Sequence, residues 1–245
     1  MQTYTQYYLL DKKVKIFQPI NGYRASTDAV IVSSLVHKIH DKDTILDVGS
    51  GTGAIALCLA SRFKNKNPQI HGLELQQDLA ELSNLSVEAN AFSEILHFYH
   101  CNIKDKLEFI KPCSYHHVIT NPPYTDHDMP SPNPSKAQAH NHSDFNLTEW
   151  IKFCIKMLAP QGMFYTINRA EALDEILAAI YGKLGAIKII PVFTKGNIKA
   201  KRVLVMAQKD KKTPTEILPA LHIHTDEGYT LKAFQILREG KSYWD

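Results

Sequence analysis

Short apolar runs alternate with amphipathic stretches along the chain between residues 44 and 208. The runs are rich in β-branched residues, whereas the stretches between them repeat apolar residues at helical spacing, as at Leu79, Leu82 and Leu85. This alternation predicts a parallel sheet with crossover helices. Strands are predicted at residues 44–48, 69–74, 96–101, 116–120, 163–168, 187–193 and 203–208, and helices at residues 53–63, 76–92, 146–158 and 169–181.

The predicted fold class is therefore α/β, with an open sheet of seven mostly parallel strands and helices on both faces. Because only a short turn separates the last two strands, we expect those two to be antiparallel. Residues 1–42 and 213–245 are expected as terminal extensions of a single domain, 1–245. The predicted elements of these extensions are a hairpin at 8–10 and 14–17, a helix at 26–40, a strand at 221–224 and a short helix ending at Arg238.

Two segments without apolar periodicity are predicted as loops. Residues 125–146 contain Pro130, Pro132 and Pro134 among polar residues, which is typical of a long surface loop that is either functional or disordered. Residues 195–202 form a short basic loop, within a stretch from 183 to 212 that holds nine Lys and Arg against one acid, Asp210. A solvated basic face and a contact with nucleic acid are both compatible with this bias.

The composition is that of an ordinary globular protein, with 44% hydrophobic residues and a net charge of +3 over 245 residues, which excludes disorder and fibrous repeats. No apolar run approaches the roughly 18–20 residues of a membrane helix, and no basic segment with a long apolar core opens the chain. The four cysteines lie far apart without a C-x-x-C pair. We therefore expect a reduced, cytoplasmic protein without disulfides or a metal site.

A glycine-rich turn follows the first predicted strand of the sheet. Asp47 precedes Gly49, Gly51 and Gly53, which let the backbone approach a ligand closely at the N-terminus of the next helix. Glu74 ends the next strand, where an acid can accept hydrogen bonds from both ribose hydroxyls. The turn lacks the Gly-Lys-Ser/Thr of a P-loop and the G-x-G-x-x-G spacing of dinucleotide sites, so it favours S-adenosylmethionine over NAD.

A second motif, Asn121-Pro122-Pro123-Tyr124, follows the fourth predicted strand. The Asn121 side-chain oxygen and the Pro122 carbonyl can each accept a hydrogen bond from one amino group and hold its nitrogen in line with an electrophilic methyl. Tyr124 can stack on a planar substrate. We therefore predict that Asn121, Pro122 and Tyr124 are catalytic, and that Pro123 belongs to the substrate-binding side of the same turn.

The two motifs together resemble those of the Rossmann-like class I methyltransferases, and the second motif resembles that of enzymes that methylate adenine N6, cytosine N4, guanine N2 or glutamine. The resemblance implies that Asp47 and the glycines lie beside the methionine portion of S-adenosyl-L-methionine and that Glu74 holds the ribose. It also implies that Asn102, where an Asp is usual, lies beside the adenine.

A narrower likeness covers nearly the whole chain. Residues 18–30, Ala139-His140, Trp150-Ile151 and residues 201–205 resemble the bacterial tRNA(Val) adenine-37 N6-methyltransferases. The resemblance implies N6-methylation of an adenosine in a tRNA anticodon loop. The sequence leaves the oligomeric state open, and we favour a monomer. The resemblance places Asp28 in the cofactor site, and Tyr23 and Arg24 beside the target base. His140 and His142 receive no role as a base.

This resemblance implies that the basic loop at residues 195–202 binds tRNA. Four of its cations are predicted to contact tRNA phosphates, which would make binding salt-dependent. They are Lys195, Lys199, Lys201 and Arg202.

Three rival functions remain open on the sequence. A release-factor glutamine methyltransferase shares the Asn-Pro-Pro-Tyr chemistry but carries a longer helical N-terminal domain. A ribosomal RNA guanine N2-methyltransferase commonly carries an additional domain. A catalytically inert RNA-binding or assembly module could retain the fold, although the presence of Asp47, Gly49, Glu74 and Asn121 argues against it.

Overall fold

The computed structural model describes residues 3–123, 146–196 and 199–245. Tyr124, His140, His142 and nearly all of the predicted loop at 125–146 lie outside the described residues. Nowhere in the described ranges does a helix combine the length and the apolar character needed to cross a bilayer.

Strands and helices alternate along the chain. In chain order the strands are β1 Tyr4–Leu9, β2 Val14–Pro19, β3 Thr44–Val48, β4 Gln69–Glu74, β5 Leu96–His100, β6 Tyr115–Thr120, β7 Leu158–Arg169, β8 Leu184–Lys195, β9 Arg202–Lys209, β10 Glu216–Ile217 and β11 Leu221–His224. The helices are α1 Thr27–Ser33, α2 Ala54–Phe63, α3 Gln77–Ala89, α4 Leu147–Met157, α5 Leu173–Ile180 and α6 Leu231–Phe234.

The main sheet has the strand order β10-β8-β9-β7-β6-β3-β4-β5, and β11 also pairs with β8. The five strands from β7 to β5 in this order are parallel, and β9 runs antiparallel to both β7 and β8, as predicted. All seven predicted strands are present. The count of seven is wrong, however, because β10 and β11 add two parallel strands beside β8, giving nine among the described residues.

Helices cover both faces of this sheet. Successive residues of a strand point to opposite faces, so Ile45 packs in a core with α1, α2 and the C-terminal helix, whereas Leu46 packs in a second core with α4 and α5. The hairpin β1-β2 lies against α3, where the Phe17 N–H donates to the Ser86 hydroxyl over 2.9 Å.

The first helix is shorter than the predicted 26–40 because it ends at Ser33. The hydroxyls of Ser33 and Ser34 donate back to the carbonyls of Val30 and Ile31, over 2.7 and 2.6 Å, and compete with the continuation of the helix. The apolar residues that extended the helical pattern, among them Leu35, remain buried in a non-helical segment.

One edge of the sheet collects the carboxyl ends of its parallel strands, and we call it the carboxyl edge. The register pairs Val48 with Thr120, the last residues of β3 and β6. Because β9 is antiparallel, its first residue, Arg202, pairs with Arg169 at the end of β7 and therefore lies at the same edge. Open α/β sheets bind ligands at this edge.

Candidate active site

The glycine turn leaves β3 with its backbone tied to β4. The N–H groups of Gly49 and Ser50 both donate to the Leu73 carbonyl over 2.9 Å. Gly49 and Gly51 have φ of +72° and +56°, in the left-handed region that favours glycine. A Cβ at Gly51 would also lie 2.5 Å from the Tyr23 ring, so the turn leaves no space for a side chain there.

Glu74 joins this turn to the end of β4. One carboxylate oxygen accepts the Gly51 N–H over 2.7 Å, and the other accepts the Gln76 N–H over 2.9 Å. Burial raises the pKa of Glu74, and these backbone donors oppose the rise. Each oxygen keeps a further lone pair, so the carboxylate can still accept hydrogen bonds from a ligand.

Asp47 is fully buried beneath the turn, and neither of its oxygens makes a hydrogen bond of ordinary geometry within the described chain. Burial raises the pKa of Asp47 to about 8. The Ala56 N–H opposes this rise, and the nearby Glu74 carboxylate adds to it. Burial, together with Glu74 and Asp47, also raises the pKa of the Tyr23 phenol. Asp47 and Tyr23 are therefore hard to ionise in this environment. Because a nearby cation stabilises the ionised form of an acid, the site favours a cationic ligand.

A pocket of ≈ 840 Å³, including its open mouth, lies between the glycine turn, the end of β4 and the start of the Asn-Pro-Pro segment. The lining side chains and backbone belong to Tyr23, Gly49, Gly51, Leu73, Glu74, Leu75, Gln76, Leu79, Cys101, Asn102, Ile103, Lys104, Asn121, Pro123 and Trp150. The structure thus brings predicted residues of both motifs to one cavity.

Asn121 stands where β6 ends and the proline segment begins. Its side-chain carbonyl oxygen is buried without a hydrogen-bond partner in the described chain. Pro122, directly after it, is buried as well and has no N–H to donate. Pro123 also lacks an N–H, so neither proline of the described turn can donate to the carbonyl oxygens beside Asn121.

Asn102 lines the pocket as predicted, but its side-chain carbonyl is already engaged. That oxygen accepts the Lys104 N–H over 3.0 Å and so closes a local turn. The NH₂ of the amide is the group left to donate to a ligand. An Asp at this position could have accepted from both the backbone and a ligand amine, and the amide divides these tasks between its two ends.

Asp47 and Pro122 are not among the residues that line the pocket in the described chain, and three further predicted site residues are placed elsewhere. Asp28 does not appear among the pocket-lining residues of the described chain, and instead pairs with Arg202 over 2.9 Å. Arg24 donates to the Tyr7 hydroxyl over 2.8 Å, which holds it against the hairpin. Gly53 begins α2 against the ring of Phe98 rather than at the cavity.

The four predicted RNA-contacting cations lie together at the carboxyl edge, and we call them the basic edge: Lys195, Lys199, Lys201 and Arg202. Lys195 pairs with Asp226 over 2.8 Å, and Lys199 pairs with Glu171 over 3.9 Å, with all four side chains more than half exposed. The carbonyl of Lys201 accepts the Ala170 N–H, which ties this loop to the end of β7.

Sequence reasoning missed the pocket role of Trp150, whose indole covers the glycine turn. The residue lies in the first turns of α4, and no local pattern tells which way its side chain points. Cys101 was assigned no role and also lines the pocket, where burial raises the pKa of its thiol to about 11. A protonated thiol is a weak nucleophile. Within the described ranges, no three His, Cys, Asp or Glu residues are grouped to hold a metal ion.

Known proteins are similar to this chain in sequence and in fold. The model of the methyltransferase small domain family matches residues 26–189. The chain belongs to this family. As a methyltransferase small domain protein, it is similar to the tRNA1(Val) (adenine(37)-N6)-methyltransferase of Dyadobacter fermentans, with 26% identity over 92% of this chain and 95% of the relative. The protein of that name from Actinobacillus succinogenes is also 26% identical, over 88% of this chain and 89% of the relative.

Solved structures show the same fold. A predicted O-methyltransferase from Agrobacterium tumefaciens superposes with a TM-score of 0.73 at 23% identity, covering 88% of this chain and 98% of that one. A SAM-dependent O-methyltransferase from Thermotoga maritima gives a TM-score of 0.55 at 13% identity, covering 79% of this chain and 68% of that one. The architecture is therefore that of the class I methyltransferases, as expected.

The family and the fold imply S-adenosyl-L-methionine as the cofactor. The pocket fits this molecule in three respects. Asp47, fully buried beneath the glycine turn, would favour a cationic group, Glu74 retains lone pairs for vicinal hydroxyls, and the apolar Leu75 and Ile103 can flank a flat ring.

Proposed function

We propose that this protein transfers a methyl group from S-adenosyl-L-methionine to N6 of an adenosine in a tRNA anticodon loop, at position 37 of tRNA(Val). The observation that carries the proposal is the buried, unpartnered oxygen of Asn121 beside a pocket that suits a cationic cofactor. The names of the relatives support the choice of tRNA and of the position.

On the cofactor side, this chain supplies binding and orientation. Asp47 would attract the positive charge of the methionine portion, Glu74 would accept from the ribose hydroxyls, and the Asn102 amide would donate to a ring nitrogen of the adenine. The sulfonium supplies an electrophilic methyl when it is bound. Because water is largely excluded from the buried floor, these interactions are stronger there than in solution.

On the acceptor side, Asn121 and Pro122 would accept the two N–H groups of the adenine amine. Such an amine is a poor nucleophile because its lone pair is delocalised into the ring, and two directed hydrogen bonds hold the nitrogen in line with the methyl carbon. A bond forms from N6 to that carbon as the carbon–sulfur bond breaks, and N6 then releases one proton to water. Positioning is therefore the main contribution of the protein.

The substrate side extends along the carboxyl edge. The basic edge would contact phosphates, which supplies affinity without sequence specificity. The target base must leave its stack to reach Asn121, and a base in a single-stranded loop costs less to extrude than one in a duplex. Tyr23 closes the same pocket and would lie beside the entering base.

The test uses nucleoside mass spectrometry after incubation with unmodified tRNA(Val) transcript and cofactor. We expect N6-methyladenosine from the transcript with adenosine at position 37 and none from a matched transcript with guanosine there. Release factor and ribosomal RNA serve as alternative acceptors in parallel reactions. Methylated glutamine or N2-methylguanosine, without product from tRNA, would overturn the proposal in favour of those chemistries.

A further inference from the structure

The position of the Asn121 side chain is not set by a hydrogen bond of its own. The oxygen assigned to the acceptor amine accepts nothing from the described chain. Its place therefore depends on the backbone at Thr120, immediately before it, and on what packs around that strand end. In-line transfer tolerates little error in this place, since a misplacement of about 1 Å can cost roughly 100-fold in rate.

Two consecutive hydrogen bonds determine the geometry at that strand end. The indole N–H of Trp150 donates to the Thr120 hydroxyl over 2.9 Å, and this hydroxyl donates to the Val48 carbonyl over 2.7 Å. Thr120 is fully buried. Because Trp150 belongs to α4, Thr120 to β6 and Val48 to β3, this relay joins three elements at the point where the pocket begins.

The same indole also packs on the glycine turn. A Cβ at Gly49 would lie 2.6 and 2.8 Å from two carbons of the six-membered ring of Trp150, so the ring fills the space that a side chain would take. Gly49, Asn121 and Trp150 all line the pocket. The indole thus contacts the cofactor turn through its ring and the strand before Asn121 through its N–H.

We infer that Trp150 is a positioning residue for methyl transfer. Its N–H, acting through the Thr120 hydroxyl, holds Asn121 at a set separation from the Gly49 turn, and hence holds the acceptor amine at a set separation from the methyl donor. This inference rests on the proposed function, because it assigns Trp150 an effect on the transfer step rather than on cofactor affinity.

The first test compares two Trp→Phe variants. Trp150→Phe keeps an aromatic ring and removes the N–H donor. Trp244→Phe is the matched control, since the Trp244 indole donates to the Leu35 carbonyl over the same 2.9 Å but away from the pocket. We expect kcat to fall roughly 10–100-fold for Trp150→Phe, with the dissociation constant of S-adenosylhomocysteine changed less than about threefold. Trp244→Phe should keep the wild-type kcat.

A double-mutant cycle then tests the relay. Thr120→Val removes the hydroxyl at similar volume, and Thr120→Ser retains it. If both partners act through one relay, Trp150→Phe and Thr120→Val each lower kcat, and the double variant is little worse than either alone. Thr120→Ser should restore most of the activity. Multiplicative losses in the double variant would contradict a shared relay.

NMR spectroscopy can detect the hydrogen bond from Trp150 to Thr120 without measuring methyl transfer. The sequence has two tryptophans, so the ¹⁵N spectrum contains two indole N–H resonances. The two Trp→Phe variants assign them. Thr120→Val should shift the Trp150 resonance and speed its exchange with solvent, while the Trp244 resonance stays in place. An unmoved Trp150 resonance would show that the hydrogen bond is not formed in solution and would overturn the inference.

The outcomes separate the inference from the proposed function. If the wild-type protein makes no N6-methyladenosine, the proposed function fails and the role of Trp150 fails with it. If the wild type is active and Trp150→Phe matches Trp244→Phe in kcat, the role of Trp150 alone is wrong. If Trp150→Phe weakens S-adenosylhomocysteine binding as much as it lowers kcat, Trp150 is a wall of the cofactor site and the positioning role is wrong.

Discussion

The pocket half of the carboxyl edge buries polar groups that lack partners, whereas the basic half exposes cations that are paired with acids. Asp47 and Asn121 belong to the first group, and the pairs Lys195–Asp226 and Lys199–Glu171 belong to the second. An unsatisfied buried polar group is costly, and beside a pocket it is a group that a ligand can satisfy. Exposed ion pairs contribute little to stability, so phosphates can replace their acids at small cost.

This difference predicts different sensitivities for the two halves. The pocket should respond to pH and to changes of a single atom, because its groups are buried. The basic edge should respond to salt and to changes of net charge, because its groups are screened by solvent. The variants below test each half against the other.

The largest effect is expected from Gly51→Ala. The added methyl would meet the Tyr23 ring at 2.5 Å, at a φ of +56°, and would displace the N–H that Glu74 accepts. We expect cofactor affinity to fall by about 100-fold or more, from the loss of a charge-assisted hydrogen bond together with steric overlap, as measured by calorimetry with S-adenosylhomocysteine.

Gly182→Ala is the matched control for this variant. Gly182 also has a positive φ, +71°, but nothing lies within 4 Å of an added Cβ. It should lose some thermal stability and bind the cofactor normally. Equal losses of affinity in the two variants would show that backbone strain, rather than the pocket, is responsible.

The next effect concerns Asp47. Its raised pKa of about 8 means that it is mostly protonated at pH 7 before a cation binds. A bound cation favours the carboxylate, so binding should release close to one proton at pH 7. Calorimetry of S-adenosyl-L-methionine binding in two buffers of different ionisation enthalpy measures this release. Asp47→Asn should abolish it and weaken binding by about 10-fold or more, as expected for a charged hydrogen bond.

The raised pKa of Asp47 also predicts how the free energy of unfolding of the ligand-free protein changes with pH. The folded-state pKa is raised above the ordinary value of about 3.9, so this group favours the folded protein most at low pH. Its contribution declines as pH rises from about 4 to about 8. Thermal melts at pH 6 and pH 8 should show a smaller decline for Asp47→Asn than for the wild type. An identical decline would argue that Asp47 is already ionised in the ligand-free protein.

A smaller effect is expected at the basic edge. Lys199→Ala combined with Lys201→Ala should lower tRNA affinity several-fold, and the slope of log K against log salt should fall by about 1 for each phosphate that the variant no longer neutralises. Filter binding across a salt series measures both quantities. S-adenosylhomocysteine affinity should stay unchanged, and an unchanged salt slope would remove these lysines from the RNA interface.

The smallest effect has the opposite sign. Neutralising the acids of the basic edge, by Asp226→Asn and Glu171→Gln, should raise tRNA affinity by about 1.5- to 5-fold for each pair, which corresponds to the roughly 0.2–1 kcal/mol of an exposed ion pair. Glu94→Gln, an exposed residue just before β5 at the other edge of the sheet, is the control. A gain equal to that of the control would mean that net charge alone is responsible.

The predictable parts of the fold were those with strong local signals. β3 and β4 occur at their predicted bounds because each is largely buried and ends at a motif. The helix at 26–40 was too long because Leu35 and its apolar neighbours continue the helical period in a buried, non-helical segment. β11 occurs at the predicted 221–224, whereas β10 was not predicted because a strand of two residues depends on its partner, β8.

The candidate site likewise has a part that the sequence predicted and a part that it did not. Gly49, Gly51, Glu74 and Asn121 line one pocket because strand ends meet at one edge, and sequence motifs report strand ends well. Contacts between residues far apart in sequence carry no local signal. The pairing of Asp28 with Arg202, the contact of Arg24 with Tyr7 and the relay from Trp150 to Thr120 are of this kind.

The central claim is that one pocket joins a methyl donor to an amine held by Asn121. The most direct test is single-turnover transfer from trideuteromethyl S-adenosyl-L-methionine to unmodified tRNA, read by nucleoside mass spectrometry, for the wild type and Asn121→Ala. We predict labelled N6-methyladenosine from the wild type and a rate lower by about 100- to 1,000-fold in the variant, with unchanged S-adenosylhomocysteine affinity. Equal rates of labelling would contradict the account.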